Sequence, residues 1–216
     1  MVSLKNEKEY YQREIGLSTL FTPSKAYSMN KVLFFDIEYF IHNTFRNDPT
    51  TKIFYPIQFS LVNYYRERLI HEYLDYYSWG QDYYNSMKLW LKRRRINPLS
   101  SIPIDRLNAK LQVYINKSSL LFGYGVENDI KGLKAIGIDI QSFCQVYDIS
   151  ELSLFQNFKG KRSLRDIYNT NFPGDIQIQE IEGGHDARED TEALRKIYIK
   201  YEKHINIELP RLMFHG

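Results

Sequence analysis

The stretch Lys31–Phe40, KVLFFDIEYF, sets two acids into a run of apolar and aromatic residues. Its β-branched and aromatic content is that of a central strand. Side chains alternate along a strand, so Asp36 and Glu38 are expected on one face, together with Phe34 and Phe40. Neighbouring carboxylates repel each other and are costly to desolvate among apolar groups. A bound cation removes both problems; a solvated strand end would also do so. The pair alone does not decide between them.

Working outward, a second strand is read in YPIQFSLVNYY (55–65), after a loop containing Asn47, Asp48 and Pro49. ERLIHEYLDYY (67–77) completes a meander. Residues 79–118 read as helical, with Tyr84, Met87 and Leu91 on one stripe. Pro103 stands where a second helix should start, followed by Ile104, Leu107, Leu111 and Tyr114 at helical spacing. A buried strand (SSLLFGYG, 118–125), a helix (NDIKGLKAIG, 128–137) and another strand around FCQVYDI (143–149) follow. RSLRDIYNTN (162–171) is expected to be a short helix, and DAREDTEALRKIYIKYEKH (186–204) carries the strongest helical signal. Strands come first and helices follow, as in an α/β fold with a central mixed sheet flanked by α-helices. Residues 1–30 are polar and irregular and are read as an extension on a domain spanning 31–216.

Two further acids are expected on packing faces. Asp129, Leu133 and Ile136 fall on one stripe of their helix, although an Asp in a first turn also complements the helix dipole. In GGHDAREDTEAL (183–194), Asp186 and Glu189 have the form of a capping box. His185 then takes the position before the cap and Asp190 the fourth helical position. Those two places are normally joined by an apolar staple. Asp190 also shares a stripe with Leu194, Ile197 and Tyr201. Four carboxylates aimed at packed faces, with a histidine beside the last, point to a metal cluster.

These residues resemble the signature of the DEDDh exonuclease superfamily: D-x-E on the first strand, a central Asp at a strand-to-helix junction, and H-x4-D at the last helix. Asp36 and Glu38 match the first motif, Asp129 the second, and His185 with Asp190 the third, in the family's order. LLFGYGVENDIKGLKAIGIDI (120–140) and VYDISELSLFQNFKGKRSLRDI (146–167) are similar to the middle of Rex-type RNA exonucleases. Asp148 matches the aspartate of the later strand there and is not taken as a ligand. The resemblance implies a ribonuclease-H-like fold and a 3′–5′ exonuclease that releases nucleoside 5′-monophosphates. It implies two Mg²⁺ or Mn²⁺ ions held by Asp36, Glu38, Asp129 and Asp190, with Asp36 bridging and His185 as general base. The expected partner is single-stranded RNA with a free 3′ end. A DNA-directed proofreading or repair enzyme, or an inactive nucleic-acid-binding module, is the alternative. Tyr39 and Phe40, where the family has Thr or small residues, Tyr124, where Rex-type enzymes often have His, and Asn128 are placed where substrate would lie.

Composition sets outer bounds. Of 216 residues, 43% are hydrophobic and 25% charged, the balance of an ordinary globular protein. A net charge of +3 is compatible with a polyanionic partner without requiring one. Lys92, Arg93, Arg94 and Arg95 suit either a helix C-terminus or a phosphate backbone. The 18 tyrosines and 13 phenylalanines could stack on bases but mostly supply core. Cys144, the single cysteine, excludes an internal disulfide and a cysteine-rich zinc site. No apolar run reaches the length of a membrane span and no signal or transit pattern is evident, so an intracellular protein, in cytoplasm or nucleus, is expected.

Overall fold

The computed structural model describes residues 31–43, 52–93, 100–157, 160–175 and 185–215. The extension over 1–30, the loop with Asn47, Asp48 and Pro49, the residues Arg94 and Arg95, and Gly183 with Gly184 lie outside the described residues.

β1 (Val32–Asn43), β2 (Lys52–Asn63) and β3 (Arg68–Asp75) form the expected antiparallel meander. β4 (Ser101–Pro103) runs parallel to β3 along its outer side. On the other side of β1, β5 (Leu120–Gly123) and β6 (Gln145–Asp148) continue the sheet in parallel. The order β4-β3-β2-β1-β5-β6 makes a mixed, six-stranded sheet with β1 in its interior. A small hairpin, β7 (Gln156–Asn157) with β8 (Gly160–Lys161), stands apart from it.

The segment read as helical over 79–118 is two helices, α1 (Gln81–Arg93) and α2 (Ile104–Tyr114), with β4 between them. A proline biases the residue before it toward extended backbone. Ile102, beside Pro103, accordingly pairs with Leu74 and is nearly buried. Pro103 caps α2 from outside, and Tyr114, expected on the buried stripe, ends the helix 40% exposed. α3 (Glu127–Ala135), α4 (Leu164–Asn171) and α5 (Ala187–Leu212) follow.

Alternation along the strands divides the core in two. Leu33, Phe35 and Ile37 pack with Met87, Leu91, Leu107 and Leu133 from α1, α2 and α3. On the opposite face Phe34, Val62 and Phe122 meet Ile167 of α4 and Leu194, Ile197 and Tyr198 of α5. The result is helices on both faces of one sheet.

Phe40 departs from expectation. The ladder between β1 and β2 shifts register between Glu38 and Tyr39, and beyond the shift Phe40 pairs with Tyr55. Such an irregularity breaks strict alternation. Phe40 therefore joins the face of Phe35 and Ile37, not the face of the acids, and is 3% exposed. Its ring lies 5.4 Å from those of Tyr55 and Tyr76, so its side chain is part of the apolar core.

Gly123 ends β5, the strand paired with β1. A Cβ there would lie 2.4 Å from Val126 Cγ1 and 2.8 Å from the Phe35 ring, so only glycine fits. This fit lets Val126, at the entry to α3, pack with Phe35 of β1.

Candidate active site

Asp36 and Glu38 project from β1 toward the start of α5, on the face that also carries Phe34. Glu38 is buried and Asp36 partly so. Asp129 enters from the first turn of α3 with Leu133 and Ile136 behind it, and all three are buried as their stripe predicts. Asp190 stands in the first turn of α5, 4% exposed, above Leu194 and Ile197. His185 precedes the helix, and its Nδ1 is 3.2 Å from Asp190 Oδ2. The imidazole is half exposed, so one edge of the cluster meets solvent.

The first turn of α5 is built much as its sequence suggests. Asp186 is the N-cap, and its side chain accepts from the Arg188 N–H, one residue short of the bond expected from a capping box. Its carbonyl accepts from Glu189 and Asp190. This turn brings the positions of His185 and Asp190 together, a polar pair where a staple would be apolar.

Burial and like charge raise the pKa of two of the acids. Burial, then the charges of Asp190, Asp129 and Glu38, push the Asp36 carboxyl well above the usual carboxylate range. Burial, then Glu38, Asp148 and Asp190, do the same to Asp129. Burial and mutual repulsion that disfavour ionisation of Asp36 and Asp129 would be offset by a divalent cation, which favours the ionised form. Glu38, His185 and Asp190 each offer a ligand atom, and these atoms lie within 4.8 Å of one another. Oxygen-rich, with one imidazole, the set suits Mg²⁺ or Mn²⁺.

The residues expected around the substrate are dispersed. The Tyr39 hydroxyl is hydrogen-bonded to the Asn128 side chain, and the charges of Asp129, Glu38 and Asp36 add to the burial that raises its pKa. These two residues flank the acids. The half-buried Tyr124 donates its hydroxyl to the carbonyl of Arg162, toward the β7–β8 hairpin.

Two supports were not read from the sequence. Asp148, at the end of β6, accepts from the N–H groups of Gly125 at 2.8 Å, Ser150 at 2.9 Å and Val126 at 3.3 Å. It braces the turn that leads into Asp129, including Gly125 with its positive φ of 68°. Gln58, fully buried on β2 opposite Glu38, contacts the start of α5. A polar residue inside the apolar run YPIQFSLV was the available signal for it.

The mixed six-stranded sheet with helices on both faces is a ribonuclease-H-like α/β fold, shared with solved structures of Pan2. The catalytic unit of Neurospora crassa Pan2, containing its protease and nuclease domains, is 21% identical with a TM-score of 0.51, over 91% of this chain and 32% of that one. The Saccharomyces cerevisiae Pan2 pseudoubiquitin hydrolase–RNA exonuclease module, in complex with AAGGAA RNA, is 18% identical with a TM-score of 0.57, over 87% of this chain and 31% of that one. The chain thus spans about a third of the length of these neighbours. No protein-family model and no curated protein sequence matches it. Among the described residues, no helix is long and apolar enough to cross a membrane.

Proposed function

We propose that this chain is a metal-dependent 3′–5′ exonuclease of the DEDDh type, acting on single-stranded RNA in preference to DNA. The observation that carries the reading is the convergence of Asp36, Glu38, Asp129 and Asp190 beside His185, at the middle of the central strand. An RNA exonuclease module in a neighbour of the same fold supports RNA as the substrate.

The four carboxylates would hold the cations, with Glu38 and Asp190 sharing a sphere. Bound divalent ions supply Lewis-acid stabilisation of the scissile phosphate and a more acidic attacking water. With Nδ1–H donated to Asp190, the basic lone pair of His185 is at Nε2, which takes the proton of the attacking water. Asp190 orients the ring and stabilises the imidazolium that results. The exposed edge of His185 admits water and the phosphodiester. Tyr39 and Asn128 form a wall for the terminal nucleotide, the tyrosine ring braced edge-on by Phe54 at 4.9 Å.

The test is degradation of 5′-labelled single-stranded RNA and DNA of one sequence with Mg²⁺, Mn²⁺ or EDTA, comparing wild type with Asp190→Asn. A metal-dependent ladder shortening from the 3′ end, absent in the variant, is expected, with RNA cut faster. Binding without cleavage of either polymer would overturn the enzyme reading in favour of an inactive binding module. Faster cutting of DNA would overturn the preference for RNA.

A further inference from the structure

Gln58 sits in β2 at 0% exposure, directly across the ladder from Glu38. A carboxamide so deeply buried needs partners for its donors and its acceptor. It finds them largely at the start of α5. Oε1 accepts from the backbone N–H of Ala187 at 3.2 Å. Nε2 donates to Asp186 Oδ1 at 3.2 Å and to the Tyr73 hydroxyl at 3.3 Å. Asp186 Oδ1 also accepts from the Arg188 N–H at 2.8 Å, so the same atom caps the helix. One side chain on the strand beside Asp36 and Glu38 thus grips the two residues that follow His185.

We infer that Gln58 is a positioning residue: its carboxamide fixes the separation between the carboxylates of β1 and the His185–Asp190 pair of α5. The inference rests on the exonuclease reading of that site. An aliphatic side chain would fill the space without the desolvation of an amide. What the amide adds is a directional link between two elements that each carry part of the site.

Gln58→Met keeps length and bulk and removes all three bonds. Amide exchange at residues 186–188, Mn²⁺ affinity by calorimetry, and kcat and KM on single-stranded RNA at saturating Mn²⁺ are measured. Exchange is expected to accelerate and Mn²⁺ affinity to weaken about 10-fold or more. The kcat is expected to fall by about 10²-fold, as for a reacting group displaced by an ångström, with KM little changed. Asp186→Ser retains a capping hydroxyl but is too short to reach Gln58. It should move the same quantities in the same direction, and its effects should be less than additive with those of Gln58→Met.

Faster exchange with unchanged Mn²⁺ affinity and kcat would reduce Gln58 to core and overturn the inference. Should Gln58→Met fail to fold, Asp186→Ser decides by the same measurements. If wild type cleaves no oligonucleotide, the exonuclease reading falls, while exchange and Mn²⁺ affinity still decide the role of Gln58.

Discussion

The imidazole of His185 and the carboxylate of Asp190 meet at 3.2 Å across the first turn of α5, five residues apart in the chain. The histidine side chain is 53% exposed and the aspartate 6%. One partner therefore belongs to the solvent edge of the cluster and the other to its buried floor. That division suits a base that exchanges protons with water and a ligand that must not.

His185→Ala is expected to lower kcat on the order of 10²–10⁴-fold, the range for loss of a general base. Mn²⁺ affinity should change little, because the four carboxylates remain. Stopped cleavage and calorimetry on the same sample check both. A collapse in Mn²⁺ affinity would make His185 a ligand instead of the base.

Asp36 and Asp129 predict an unusual pH dependence for the cation-free protein. Both carboxyls have pKa values raised by burial and by neighbouring acids. A group that holds its proton better when folded contributes its full stability below the unfolded pKa, near pH 4. That contribution is lost as pH rises through the raised folded value. Asp175, held down by Lys196, and Glu127, held down by Lys131, slope the opposite way, so the wild-type-minus-variant difference is the quantity to read. In EDTA, Asp36→Asn or Asp129→Asn should melt higher than wild type at neutral pH, by about 2–4 °C for each kcal/mol of relieved repulsion. The advantage should shrink toward pH 4. Mg²⁺ or Mn²⁺ should raise the melting temperature of wild type and barely move either variant.

Much of this arrangement was legible in the chain. The stripes of Asp129 with Leu133 and of Asp190 with Leu194 and Ile197 follow from helical period alone, and the structure buries them as read. The closeness of His185 and Asp190 follows from local geometry at a helix start. What the sequence hides is non-local. The face of Phe40 depends on a register shift against β2, and β4 on a partner in β3. Gln58 meets Asp186 across 128 residues, and Asp148 meets Gly125 across 23, pairings that no period reports.

Asp148→Ala should cost on the order of 3 kcal/mol, because it orphans the N–H groups of Val126 and Ser150, both buried, as well as that of Gly125. Asp148→Asn should cost less. Oδ1 accepts from both Gly125 and Ser150, and an amide oxygen in its place preserves those two bonds. Urea unfolding of the three proteins ranks them. Equal losses for both variants would mean that the charge, not the hydrogen-bond geometry, holds the turn before Asp129.

The basic run at the end of α1 offers a test of how far the substrate path extends. Lys92 and Arg93 are exposed in the last turn of that helix, where they complement its dipole whatever else they do. If they also track phosphates, each contact releases a counterion, and the slope of log affinity against log salt carries about 0.7 per phosphate on a single strand. Lys92→Gln with Arg93→Gln should then flatten the slope by about 1.4 for two contacts. A mere change in net charge would weaken binding far less steeply. Binding is measured with Ca²⁺ and a labelled single-stranded RNA across a salt series. An unchanged slope would leave Lys92 and Arg93 as a solvated helix end.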